Sequence, residues 1–330
     1  LTRLSLHRST TAALAFITIL AWPLASRLSA QTNVPAAPQQ ATEAAAEGPS
    51  FPKIDPSDFT ASSPTKAEIE GFLQASWGYD TNRVYQIQRI TKTEIPGIAS
   101  VVVVVGEKGN KQTGALQFFV LQDGKHLITG GEILPFGDHP YTGNRALLIK
   151  QADGPSKGAT SKNLELVEFA DFQCPHCKEA QSTMDKLATD FPNAHIVYES
   201  FPLVRIHPQA FRSAAYGACV AKLGGNDAFF KYSAAVYEGQ AGLATPEGAS
   251  LTLNDAVNKA GLDPAKVEAC STTPEIKAKI DADIKLAGEL NVNQTPSLAI
   301  NGRLIPLGGI DYDTLKKMIN YHASKDGAAE

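Results

Sequence analysis

Cys174 and Cys177 are separated only by Pro175 and His176. Residues 164–169, Leu-Glu-Leu-Val-Glu-Phe, read as a strand entering a buried sheet, and residues 178–187 have helical spacing. A strand, a Cys-x-x-Cys and a helix form the layout that a dithiol redox site requires. The first cysteine falls at a helix N-terminus, where unpaired backbone N–H groups and the helix dipole stabilise a thiolate. The second falls one turn further in, close enough to close a small ring with the first. Zinc binding is a competing chemistry, but it needs four ligands, usually in short-spaced pairs. The other cysteines, Cys219 and Cys270, are far apart and neither belongs to a second Cys-x-x-Cys. A purely structural bridge across two residues would close too small a loop to restrain the unfolded chain much. The motif therefore reads as redox-active.

The chemistry assigns roles. Cys174 is the expected attacking thiolate, exposed, and Cys177 the more buried thiol that resolves a mixed disulfide. Pro175 suits a first helical turn because it has no N–H to satisfy there. His176 is expected to donate to the Cys174 sulfur or to stand near it as a cation, which stabilises the reduced form and makes the disulfide oxidising. Glu168, six residues before Cys174, shares a strand face with Leu166 and Ala170, which is compatible with burial. His207 precedes a proline at the start of an Ala-rich helix and is given no catalytic part. The acids and lysines of 277–285 read as a solvated helix face.

The chain of 330 residues suggests two domains, and its net charge of −4 gives no sign of a nucleic-acid partner. Arg3, His7 and Arg8 precede a short apolar run over 12–22 and a small-residue exit ending at Ala30. This reads as a secretory signal peptide over 1–30, too short to span a bilayer; a membrane anchor is the competing reading. Export would place the cysteines where disulfides persist. Residues 31–64 are rich in Ala, Pro, Gln, Glu and Ser without an apolar period and read as a flexible linker. A capping box at Thr65–Glu68 opens a helix with Ile69, Phe72, Leu73 and Trp77 on one face. Strand patterns around Tyr85 and Ile87, 101–105, 114–121, 125–129 and 132–134 follow, with a hairpin signal at Asp123-Gly124. Together, 65–138 reads as a small α+β domain, and 139–160 as a connector with a helical turn.

Ile95-Pro96-Gly97-Ile98 and Asp123-Gly124-Lys125-His126-Leu127-Ile128-Thr129-Gly130 resemble the N-terminal dimerisation module of DsbC- and DsbG-type periplasmic isomerases. That resemblance implies a homodimer through 65–138. In the second half, Cys174 is followed by a helix, a strand over 194–200, several helical segments, Thr295-Pro296, a turn at Asn301-Gly302 and a last helix. Phe169-Ala170-Asp171-Phe172-Gln173-Cys174-Pro175-His176-Cys177, with Gln294-Thr295-Pro296-Ser297 and Ile300-Asn301-Gly302, resembles the DsbA-like thioredoxin family. The resemblance implies an α/β thioredoxin fold with a helical insertion over 161–325, preceded by the α+β domain. It also implies that Glu168 is a buried acid beneath the dithiol, able to take the Cys177 proton, with a pKa raised by burial. Thr295 and Pro296 would form a cis-proline loop against the dithiol, where substrate backbone pairs.

Cys219 and Cys270 each lie in a helical segment of the insertion. An exported protein seldom keeps two idle thiols, so a structural disulfide between them is expected; two separate buried cysteines are the alternative. The leading expectation is an exported oxidoreductase that passes its Cys174–Cys177 disulfide to reduced or misfolded secreted proteins. A DsbB-, VKOR- or DsbD-like membrane partner would then reset it. A dimeric isomerase kept reduced is the second reading. A periplasmic chaperone or copper carrier using the same thiols is the third, although the chain has only two methionines and so no Met-rich tract. No organic cofactor and no metal is expected.

Overall fold

The computed structural model describes residues 48–130 and 132–325. The expected signal peptide, and the linker up to residue 47, lie outside the described residues. Helix α1 (Lys66–Trp77) starts on the expected capping box: the Thr65 hydroxyl accepts from the Glu68 amide, and the Glu68 carboxylate from the Thr65 amide. Strands β1 (Arg83–Lys92), β2 (Ala99–Glu107), β3 (Thr113–Val120), β4 (His126–Thr129) and β5 (Glu132–Pro135) form one antiparallel sheet in sequential order. Ile69 and Leu73 of α1 pack with Ile87, Ile90, Val101, Val103, Phe118 and Val120 into a separate core.

The flexible-linker reading fails for 48–64. A short 3-10 turn (Pro56–Asp58) leads to Phe59, which bridges Ile90, and the amides of Thr60 and Ala61 donate to the Ile90 carbonyl. The Gln86 and Gln88 amides donate to the carbonyls of Pro52 and Lys53. Composition implied a chain without enough apolar surface to fold alone. The open edge of β1 supplies backbone partners, and Phe59 and Ala61 need only reach a core that already exists.

The second sheet has the order β10 (Arg303–Pro306), β9 (Ser297–Ile300), β7 (Leu164–Ala170), β8 (Ala194–Ser200), β6 (Ser156–Gly158). β7 and β8 are parallel and joined by α3 (Pro175–Asp190); the remaining pairs are antiparallel. Every residue of β7 is buried, as a central strand covered on both faces must be. Its Leu166 faces α3 and α8 (Tyr312–Lys325), whereas Val167 and Phe169 face α2 (Thr142–Gln151) and α7 (Pro274–Glu289). The expected connector is thus part of this domain: α2 covers the sheet and β6 pairs with β8. Asn301 and Gly302 between β9 and β10 both have positive φ, 45° and 92°, as a two-residue Asn-Gly hairpin turn demands.

The two sheets meet through α1 and the C-terminal elements. Arg303 donates to the Ser76 carbonyl at 2.5 Å and stacks over Tyr79 and Tyr141. The Tyr321 hydroxyl donates to the Gln74 carbonyl. His322 accepts from Arg303 at 3.0 Å, and burial, then the Arg303 charge, lowers its pKa to about 3. Among the described residues, no helix is long and apolar enough to cross a membrane.

The insertion consists of α4 (Ala210–Glu238), α5 (Pro246–Lys259), α6 (Pro264–Ser271) and α7. Gly225, at φ 75°, breaks the helical run of α4. Cys219 of α4 and Cys270 of α6 are disulfide-bonded across 51 residues of sequence. A loop of that length is worth about 4 kcal/mol in the chain-entropy account. Replacing both cysteines by Ala should lower the unfolding free energy by about 3–4 kcal/mol in a urea titration. An unchanged midpoint at unchanged slope would deny the bridge a stabilising part.

Candidate functional site

β7 ends at Ala170, and residues 171–174 turn the chain into α3. Cys174 is the N-cap of α3 and Pro175 its first residue. The Cys174 carbonyl accepts the first helical bonds, from the amides of Cys177 and Lys178. The helix start thus leaves N–H groups facing the Cys174 sulfur. Cys174 is only 5% exposed and Cys177 is fully buried; both are free thiols in the structure. The expectation of an exposed Cys174 is corrected: its side chain is buried.

The two sulfurs have opposite electrostatics. The Cys177 thiol hydrogen-bonds the Cys174 sulfur and, with smaller help from Thr295 and the amides of Cys177 and His176, lowers the Cys174 pKa to about 5. Burial acts the other way there but is outweighed. Cys177 is pushed far up, first by burial and then by its bond to Cys174. Its sulfur accepts from the Asp171 amide at 3.4 Å.

His176 pairs through its ring with Glu179 and does not donate to the Cys174 sulfur, one of the two arrangements expected. Its ring is exposed, and Nδ1 lies 3.0 Å from Glu179. Glu179 raises its pKa, and Cys174 adds only a lesser Coulombic pull. An exposed residue at the second helical position turns away from the N-cap and finds the carboxylate three residues on. What His176 gives Cys174 directly is its backbone N–H.

Glu168 is buried beneath the site, and desolvation raises its pKa to about 7, against smaller lowering by Lys157 and by the Gln181 side chain. Gln181 donates to both Glu168 and the Cys177 carbonyl, tying the acid to Cys177. Glu168 in turn raises Cys177 through its charge. Thr295-Pro296 is a cis peptide, and the Cys174 thiol lies 3.6 Å from the Thr295 carbonyl. The Thr295 hydroxyl is buried without a well-aligned partner, yet its dipole still favours the thiolate. The structure therefore gathers Cys174, Cys177, Pro175, Glu168, Thr295 and Pro296 at one place and sets the Cys219–Cys270 bridge in the insertion.

Sequence reasoning missed four residues that hold the turn. Gln240 donates to the carbonyls of Phe172 and Cys174. Gln173 donates to the Leu243 carbonyl and accepts from the Gln209 amide. Asp171 is buried against His207. The solvated-face reading of 277–285 also fails in part: Asp283 is buried, and Lys279 reaches Asp153, Asp283 and Glu199 at 2.7, 2.5 and 3.7 Å. Asp283 follows Ile276 and Ile280 on the helix stripe continued by Ala287, and that spacing was the available signal.

Residues 150–321 match the family model described as Thioredoxin. Among curated proteins, Na(+)/H(+) antiporter NhaA 1 of Salinispora arenicola is 37% identical over 54 residues, 16% of this chain and 8% of that protein. The same antiporter of Mycolicibacterium vanbaalenii is 25% identical over 147 residues, 44% of this chain and 23% of that protein. The chain thus spans less than a quarter of the length of these antiporters. Disulfide bond formation protein D of Bacillus subtilis is 25% identical over 167 residues, 50% of this chain and 75% of that protein. Among solved structures, Proteus mirabilis ScsC in a transitional conformation gives a TM-score of 0.46 at 21% identity, covering 55% of this chain and 75% of that one. Oxidised BdbD from Bacillus subtilis gives 0.44 at 20% identity, covering 52% and 93%.

Glu168 provides a test of the buried acid. Its pKa rises from 4.5 to about 7 on folding, so the native state holds an extra proton between those values. The cost of the buried charge is therefore absent below about pH 4.5 and complete above about pH 7. Glu168→Gln should stabilise the protein at about pH 8 and change little at about pH 4, read by denaturant midpoints. Equal effects at both would place Glu168 in a solvated setting. For Cys174 the sign is opposite. Its stabilising contribution to the reduced protein is present above its unfolded value of 9.0 and is lost as pH falls through about 5. Thiolate absorbance should accordingly show one sulfur ionising near pH 5.

Proposed function

The chain belongs to the thioredoxin family, and on that premise we propose that it is an exported thiol–disulfide oxidoreductase that oxidises reduced secreted proteins. The observation that carries this reading is the unequal pair of sulfurs: Cys174 held low at the start of α3, Cys177 buried one turn away over Glu168. A substrate thiolate attacks the Cys174 sulfur of the oxidised enzyme. The Cys174–Cys177 bond breaks, and its electron pair stays on Cys177, which takes a proton from Glu168 or solvent. A second substrate thiolate attacks the substrate sulfur of the mixed disulfide, and Cys174 leaves as thiolate. The substrate is oxidised by two electrons and the enzyme dithiol is reduced. A low Cys174 pKa makes that last departure easy and favours the donor direction. Val204 and Ile206, 53% and 68% exposed in the loop after β8, suit an unfolded polypeptide substrate. A membrane redox partner would reoxidise the dithiol.

A dimeric isomerase is the second reading. It is favoured by the edge of β5, which has no further strand partner among the described residues and presents Ile133, 61% exposed. A homodimer through 65–138 would use that edge, because residues 52–61 cover the other.

Incubating the oxidised protein with a reduced, unfolded model substrate should yield substrate disulfides within minutes. The redox potential should lie nearer about −120 mV than about −270 mV, the values of strong oxidants and of thioredoxin. A potential near the lower value, with efficient repair of scrambled disulfides and a dimer by light scattering, would replace the oxidase by the isomerase.

A further inference from the structure

The loop between β8 and α4 runs beside the dithiol and is tied to it through one carboxylate. The Asp171 side chain is fully shielded from solvent. Its Oδ1 accepts from the Gln173 amide at 2.8 Å; its Oδ2 accepts from the Leu203 amide at 2.9 Å and lies 2.7 Å from His207 Nδ1. These donors come from two sides: Gln173 from the turn into α3, Leu203 and His207 from the loop. The backbone of the same residue faces both cysteines. Its N–H donates to Cys177 Sγ at 3.4 Å, and its carbonyl accepts from the Cys174 amide at 3.1 Å. The peptide group that touches the buried sulfur is thus oriented by a carboxylate whose remaining partners lie in the loop. His207, 16% exposed by its side chain, closes that arrangement toward solvent.

We propose that Asp171 and His207 form a positioning pair for the exchange reaction, fixing the N–H that donates to the Cys177 sulfur as that sulfur takes the electron pair of the broken bond, and linking it to the loop that carries Val204 and Ile206. The inference rests on the oxidoreductase reading. When the Cys174–Cys177 bond breaks, negative charge develops on a sulfur that burial strongly disfavours as an anion. A backbone N–H held in place before the reaction stabilises that charge without reorganisation. The carboxylate itself acts in the opposite sense, because one anion near another raises the cost of the second. Its value is therefore geometric, and the two effects separate experimentally. Simple electrostatics has Asp171→Asn speeding the departure of Cys177. Positioning has it slowing that departure, because the new amide N–H₂ would face either the Leu203 N–H of the loop or, flipped, the Gln173 N–H of the turn, and so break one side of the hold.

The test uses the full oxidised chain, reduced by dithiothreitol, quenched with acid and scored by thiol alkylation. Asp171→Asn and His207→Ala should each slow disulfide opening about tenfold, the loss expected for one hydrogen bond to a charged group. His207→Asn, whose amide nitrogen can stand where Nδ1 stands, should remain within about twofold of wild type. The Cys174 thiolate titration should stay where it is in all three, which assigns the slower rate to Cys177. Faster opening in Asp171→Asn would overturn the proposal. So would a lowered melting point with unchanged rates, or equal slowing in His207→Asn and His207→Ala. If Asp171→Asn does not fold, the two His207 variants decide alone. A wild-type disulfide that dithiothreitol does not open would instead sink the oxidoreductase reading itself.

Discussion

One turn of helix separates a sulfur that is stabilised as an anion from a sulfur that burial keeps as a thiol. This inequality needs little beyond the start of α3. An N-cap side chain meets the free N–H groups of the first turn, and the residue three positions on points back into the core. Cys177 then serves Cys174 as a hydrogen-bond donor, so the difference between the two reinforces itself. A motif shifted by one residue along the helix would lose both effects.

Most of the surrounding structure keeps that helix start in register. β7, buried along its whole length, delivers the turn at the C-terminal end of the central strand. Gln240 and Gln173 pin the turn to the insertion through carbonyls and amides that a bare loop would leave unpaired. The insertion must itself be rigid for this to matter, and the Cys219–Cys270 bridge fixes α4 to α6. The bridge thus lies within the same block that holds the turn before α3.

The motif, the strand feeding it, the Asn-Gly hairpin and the capping box of α1 were legible because each is a local pattern with a local cause. The Cys219–Cys270 pairing was legible by cysteine arithmetic. Asp171 and His207 were not, since 36 residues separate them and neither type is unusual where it stands. Lys279 and Asp283 fell in the stretch 277–285 read as a solvated helix face; the helix stripe through Ile276 and Ile280 placed the acid inward, toward Glu199. The segment 48–64 was misread for a different reason. Its composition describes a chain that cannot fold by itself, whereas a chain lying along a strand edge borrows its partners.

His176 shows where a motif-level argument stops short. Two residues between redox cysteines are the natural place to look for control of the potential, and a cation on the sulfur would provide it. Glu179, one turn on, competes for that ring and holds it at 3.0 Å. The ring is exposed, so its remaining attraction to the sulfur passes through water-screened space. The backbone amides and the Cys177 thiol are fixed and close, and they do not depend on a side-chain rotamer. Control of the Cys174 thiolate therefore lies mainly in the geometry of the turn and helix start, which Asp171, Gln173 and Gln240 hold, and only secondarily in the identity of residue 176. A change at Glu179 that freed the ring would shift control back toward His176.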